Sequence, residues 1–293
     1  MTEIQSHSDL QSGINGLDLG EQRHVLIDNG SWPKVIVDPF PHVVIDDALP
    51  EAVHAELCRT MPPDNYLAGP KYKGPNRYHH RSASELLTDD HVNLSATWKR
   101  FIEYQLGLEF YRTCLSVFSG FLKDADARTR AETGFGLAEL RPTMRHGEAP
   151  TNARAWTECQ ISHVTPADKP GSPLAPHVDR EVALWAGLYY LRGVGPTEGG
   201  DLVLYRFREG HSREYWKDQM IPTSRVQPVK TISARENRLV MFLHGPDAVH
   251  GVTERRPGSS ARQAVNLVCK FPFKVWDIGP WRTNLDRFPA VGD

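Results

Sequence analysis

His177 and Asp179 stand two residues apart, so on an extended segment both side chains point the same way. A second histidine supplied by a neighbouring strand, His250, completes a face of two imidazoles and one carboxylate around a single metal ion. Such a face leaves adjacent positions open on an octahedral iron(II), which is what oxygen activation requires. Arg262, twelve residues past His250, is spaced so that its guanidinium can pair with the far carboxylate of a chelating co-substrate. His79-His80 also suggests a metal pair, but adjacent residues of a strand face opposite sides, and the pair reads as loop or pocket rim.

Positioning these groups falls to a series of short strands. Pro176 precedes the His-x-Asp step, and residues 182–191 read as a buried strand. A turn over 195–200 leads into a strand at 201–207, and further strands follow at 238–243, 250–252 and 262–268. Ligands borne on or beside such a succession fit a jelly-roll. Upstream, residues 31–47 supply an early strand, and a helix runs from Glu51 to about Met61. Helical patterning returns over 88–107 and 109–123, and these helices are expected on the outside of the major sheet. Residues 135–141 and 157–165 are expected as strands leading into the metal motif. A polar and aromatic insertion over 208–218 has the length of a lid, and the loop at Lys71–His80 is a second segment placed to close over a ligand.

The segments PHVD, GLYYL, EGGDLVLY, RLVMFLHGPDAVHGVTE and ARQAVNLV, in that order, resemble the 2-oxoglutarate- and iron(II)-dependent oxygenases, in particular their prolyl-hydroxylase-like branch. The stretch DPFPHVVIDDALP at 38–50 resembles the N-terminal strand of that branch, and the resemblance spans about residues 35 to 275. It implies a mainly β fold with flanking helices (α+β), in which helices pack on the major sheet of a double-stranded β-helix (jelly-roll, cupin-like) core. It implies His177, Asp179 and His250 as metal ligands and Arg262 as the partner of the C5 carboxylate of 2-oxoglutarate. Tyr190 matches the hydroxyl that supports this carboxylate, its other reading being a core aromatic. Gln160 and His163 fall where members place polar groups that line the cavity. His244 competes with His250 for the distal ligand position. The Gly251-Val252 step and the interval to Arg262 favour His250, leaving His244 a supporting or surface histidine. Ala264 stands where many relatives carry Ser or Thr, so Tyr190 or another hydroxyl is expected to serve the carboxylate instead.

The activity so implied is oxidation, with hydroxylation as the default, of an unactivated C–H bond. Iron(II), 2-oxoglutarate and O2 take part, succinate and CO2 leave, and ascorbate is a candidate reductant. Asp179 fills the place that related halogenases leave for chloride, so halogenation is not expected, whereas desaturation and cyclisation stay open. Arg141, Arg145, His146, Arg154, Trp185 and Arg206 are candidate cavity residues. Several arginines suit a small molecule bearing carboxylate or phosphate, such as an amino acid or biosynthetic intermediate. The alternatives are a prolyl-type hydroxylase of protein or peptide side chains and a catalytically silent metal-binding jelly-roll.

Composition sets the outer bounds. The 293 residues suffice for a polar N-terminal arm over 1–30 and a single domain over 31–293. Within it, 31–130 supplies the early strand and helices, about 131–275 the jelly-roll core, and 276–293 a C-terminal extension whose Trp276 and Trp281 are expected to pack back on the core. Charged residues at 24% and hydrophobic residues at 40% are ordinary for a globular chain. A net charge of −2 gives no general attraction to nucleic acid or an anionic membrane, and neither is expected as a partner. No apolar run reaches membrane length and no signal-peptide pattern opens the chain. Cys58, Cys114, Cys159 and Cys269 are scattered, which suits reduced thiols and a cytoplasmic setting rather than a zinc ribbon or disulfide scaffold. Nothing in the sequence sets an oligomeric state.

Overall fold

A computed structural model of the chain describes residues 26, 33–63, 66–67, 75–88, 93–144, 155–171, 174–192, 199–209, 215–216, 220–258, 260–277 and 281–282. Most of the N-terminal arm and most of the 208–218 insertion lie outside these, as do Arg145, His146 and Arg154.

Apolar strands of alternating orientation build two facing sheets. In the larger one, β1 (His42–Ile45), β9 (Arg238–Leu243), β5 (Ala183–Arg192), β11 (Arg262–Lys270), β4 (Ala155–Val164) and β2 (Tyr78–Ser82) lie side by side in that order. A short β3 (Pro142–Met144) runs parallel to β4; the other pairings are antiparallel. The smaller sheet has the order β10 (His250–Val252), β6 (Leu202–Phe207), β8 (Val226–Ile232). A third pairing joins β7 (Tyr215–Trp216) to β12 (Trp281–Arg282). Tyr190, Val240, Phe242 and Ala264 of the large sheet pack against Leu202, Leu204 and Ile232 of the small one, so the two sheets share one interior.

Side-chain parity divides the large sheet between two environments. Trp185 and Tyr189 of β5 turn to the outer face and meet helices. These are α1 (Glu51–Arg59), α2 (Ala83–Thr88), α3 (Ala96–Leu106), α4 (Leu108–Val117) and α5 (Lys123–Thr133). The Trp185 ring lies 5.4 Å from that of Tyr111 on α4, and Tyr189 lies 6.0 Å from Phe101 on α3. Each such buried aromatic contributes about 2 kcal/mol of apolar transfer. The Tyr189 hydroxyl donates to Asn237 Oδ1 at 2.9 Å and lies 2.7 Å from His54 Nδ1, which satisfies it inside this layer. Ser95 caps α3, its hydroxyl accepting from the Trp98 N–H at 3.2 Å.

Helices on the outer face of the large sheet agree with the expectation, but two elements differ. Residues 135–141 form a 3-10 turn, Leu137–Glu139, rather than a strand. The helix expected over 109–123 ends at Val117, and a separate α5 follows it. That helix buries only Ala125 and Thr129, so it carries no apolar stripe to betray it in sequence. Trp276 packs on the core, its indole N–H donating to the Ala183 carbonyl at 2.9 Å. No helix among the described residues is long and apolar enough to cross a membrane.

Candidate metal centre and its cavity

Between the sheets lies a cavity of about 500 Å³. Its walls come from the inward parity of each strand: Gln160 and Ser162 of β4, Leu188 and Tyr190 of β5, Arg262, Ala264 and Asn266 of β11, with Leu202 and Val252 opposite.

His177 and Asp179 approach from the segment before β5, and His250 opens β10. One ligand atom from each lies within 4.8 Å of the other two, a spacing that could hold a metal ion. Backbone groups set the orientation of both imidazoles. Nδ1 of His177 lies 2.8 Å from the Ala175 carbonyl, and Nδ1 of His250 lies 3.0 Å from that of Ala248. A carbonyl only accepts, so each Nδ1 donates to it, which leaves Nε2 as the ring atom open to a metal. This orientation and the spacing of the three ligand atoms fit a divalent metal.

His244 is buried just beyond β9, with its Nε2 3.3 Å from Oδ2 of Asp179; the corresponding separation for His250 is 3.8 Å. It is not a surface histidine. Burial works against ionisation of Asp179, yet the three surrounding histidines outweigh it and hold the carboxyl below its usual range, at about 2. Burial and the neighbouring His177 push His250 down to about 3, so it is neutral at ordinary pH.

Arg262 lies at the other end of the cavity and is 8% exposed. Its Nη1 donates to the Gly200 carbonyl, and no carboxylate forms an ion pair with it among the described residues. Gly200 (φ +88°) and Gly199 (φ +69°) occupy backbone space closed to side chains: a Cβ on Gly199 would lie 2.0 Å from the Glu254 carbonyl oxygen. Tyr190 is fully buried and its hydroxyl has no hydrogen-bond partner among the described residues. The Tyr78 hydroxyl accepts from Nδ2 of Asn266 in the same wall. Burial raises both phenols while Arg262 pulls them down.

Several expected positions fall elsewhere. Gln160 lines the cavity, but its Nε2 donates to Glu158 at 3.2 Å. His163, three residues further on the same strand, is buried outside the cavity lining, because an odd step reverses the face. Trp185 faces the helices for the same reason, being five residues from Tyr190. Arg206 is exposed and pairs with Asp38, and Arg141 is exposed away from the lining. Tyr78, Ser162 and Asn266 are cavity residues that the sequence reading missed. Ser162 and Asn266 share parity with Gln160 and Arg262, which is the signal that could have found them.

No family model and no curated protein matches the sequence. Solved structures do. A Pseudomonas putida prolyl-4-hydroxylase is 13% identical, with 79% of this chain and 93% of that one covered at a TM-score of 0.41. SnoK, a non-heme α-ketoglutarate-dependent carbocyclase from nogalamycin biosynthesis, is 12% identical over 78% and 79% of the two chains, with a TM-score of 0.44. A collagen prolyl hydroxylase from Paramecium bursaria Chlorella virus-1, solved with 2-oxoglutarate, is 10% identical over 80% and 98%, with a TM-score of 0.39. Each of the three lies below a TM-score of 0.5, and the fold described above rests on this chain's own two facing sheets.

Proposed function

We propose that this chain is an iron(II)- and 2-oxoglutarate-dependent oxygenase that oxidises a C–H bond of a small molecule. The observation that carries the reading is one cavity with a two-histidine, one-carboxylate face and, at its buried end, an arginine without a carboxylate partner among the described residues. A buried cation left so is costly unless an anion joins it, and a dicarboxylate reaching from the metal face to Arg262 supplies that anion.

His177, Asp179 and His250 hold the metal through two Nε2 atoms and one carboxylate oxygen. Arg262 and the Tyr190 hydroxyl bind the distal carboxylate of 2-oxoglutarate, with Tyr190 in place of the hydroxyl that Ala264 lacks. When bound, ferrous iron with 2-oxoglutarate supplies the oxidative decarboxylation that couples dioxygen reduction to C–H oxidation, releasing succinate and CO2. Asn266, fixed by Tyr78, keeps a polar group on the wall between Arg262 and the metal face. Leu188, Leu202 and Val252 keep that space apolar and exclude water. Asp179 as third ligand favours hydroxylation, desaturation or ring formation over halogenation.

A cavity of about 500 Å³ falls in the range of small-molecule sites, which favours a metabolite over a peptide side chain. The test is anaerobic iron loading followed by 2-oxoglutarate and air, with succinate measured and a metabolite and peptide panel screened by mass for one added oxygen or two lost hydrogens. His177→Ala is expected to abolish both signals. Full activity in that variant would refute the metal assignment, and absence of succinate from the wild type would favour a silent jelly-roll.

A further inference from the structure

The cavity carries two more cations at the end opposite Arg262. Arg180 directly follows Asp179, lines the cavity, is exposed, and has no acidic partner among the described residues. Lys270 ends β11, in register with Trp156 on one side and Ala183 on the other. The Ala183 N–H in turn donates to the Arg180 carbonyl at 2.9 Å. Arg180, Lys270 and Trp156 therefore collect around the same end of three strands, and all three line the cavity.

Their charges are not equally answered. Lys270 Nζ lies 3.4 Å from Oε2 of Glu158, a side chain only 3% exposed that also accepts from Gln160 at 3.2 Å. Glu158 thus answers Lys270 and Gln160, and among the described residues no carboxylate pairs with Arg180. With the ferrous ion and the dicarboxylate of the reading above, the two added charges cancel each other. Among the described groups around the cavity, Asp179 and Glu158 then stand against Arg180, Lys270 and Arg262, and the unanswered positive charge rests on Arg180. Trp156, half-buried, and Val268 offer an apolar wall beside it.

We propose that Arg180, with Lys270 and Trp156, forms a second anion subsite that selects a small-molecule substrate with a carboxylate at one end and an apolar or aromatic body. A guanidinium fork matches a carboxylate in two parallel hydrogen bonds, which fixes the direction of the substrate as well as its charge. Anchored there, the body of the substrate extends along Trp156 toward Asp179, so the oxidised carbon lies a short chain away from the acid group. This proposal rests on the oxygenase reading for the position of the reacting carbon but not for the charge preference.

The experiment uses the iron-loaded full chain with 2-oxoglutarate. The probes are 3-phenylpropionate, hexanoate and N-acetyl-L-leucine, each against its primary amide, and a tripeptide acid against its amide. Binding is read by anaerobic equilibrium dialysis, and turnover by succinate release above the probe-free rate. Free acids are expected to bind at least tenfold more tightly than their amides. Arg180→Glu is expected to erase that preference, Arg180→Gln to reduce it, and Arg180→Lys to keep most of it. Equal binding of acids and amides, no retention of any acid, or undiminished discrimination in Arg180→Glu would overturn the subsite. Retention of the peptide acid alone would overturn its small-molecule assignment. Acid discrimination in a wild-type chain that never releases succinate would support the subsite while refuting the oxygenase reading.

Discussion

His177 and His250 exchange both of their backbone hydrogen bonds, each N–H donating to the other's carbonyl at 2.9 Å. This reciprocal bridge sets their rings 4.3 Å apart before any ion arrives. Gly251 lies against it: a Cβ there would meet the Ala175 carbonyl group and the Pro176 nitrogen at 3.2 Å. Gly251→Ala is therefore expected to push the two histidine segments apart and lower metal affinity by roughly 10- to 100-fold, as loss of ligand support does elsewhere. Competition against a chromogenic chelator measures it. Unchanged affinity would show that the bridge tolerates the methyl group.

Tyr190 separates stability from binding. Its buried hydroxyl lacks a partner among the described residues, so Tyr190→Phe is expected to stabilise the metal-free protein by about 1 kcal/mol. The same change removes a donor to the co-substrate and is expected to weaken 2-oxoglutarate about fivefold. Arg262→Met removes charge-assisted bonds and is expected to cost roughly 10- to 100-fold in 2-oxoglutarate affinity. Calorimetric titration of the manganese-loaded protein and thermal unfolding of the metal-free protein test both halves. A lower melting temperature for Tyr190→Phe would contradict the first.

His244 is buried with its Nε2 3.3 Å from Oδ2 of Asp179, close enough to act on the carboxylate by charge and packing though no hydrogen bond joins them. His244→Leu removes the polar neighbour of that carboxylate, and metal affinity is expected to drop by about tenfold. His244→Asn, which keeps a polar group beside the carboxylate, is expected to recover part of the loss. Equal affinities for wild type and both variants would place His244 among packing residues.

Acid should destabilise the metal-free protein. Burial lowers the pKa of His42, His54, His244 and His250 below the unfolded value of 6.5, so below that pH the unfolded chain binds protons that the folded chain does not. Stability is thus fully present above pH 6.5 and declines as pH falls, by at most about 1.4 kcal/mol per pH unit for each histidine. Asp179, also held low, adds a loss only below its usual carboxylate range. The melting temperature is expected to fall steadily from pH 7 to pH 5; a flat profile would contradict the burial-driven shifts.

Legibility in the sequence followed parity and spacing. The strand at 238–243 is legible at its observed bounds because an apolar run ends at His244-Gly245-Pro246, and 250–252 is legible from the His250-Gly251-Val252 step. His177, Asp179, His250 and Arg262, which the sequence singles out, lie along one cavity. What was missed depends on which face a residue takes. Gln160 with His163, and Tyr190 with Trp185, are odd-step pairs that one sheet face cannot hold together. Tyr78 was hidden because β2 begins inside a Pro-, Gly- and Tyr-rich stretch that reads as loop. Arg206 was assigned to the cavity for its charge, but charge alone does not say that Asp38 would hold it at the surface.

Along β11 exposure rises from Arg262, 8% open, to Lys270, whose side chain is 34% open, with exposed Arg180 beyond it. On that gradient the way in lies at the Arg180 end. Whatever docks on Arg262 has to go in first and come out last, and a guest resting at the Arg180 end bars the way in both directions. Initial-rate kinetics should accordingly show a compulsory sequence, with excess substrate trapping the enzyme before its co-substrate can enter.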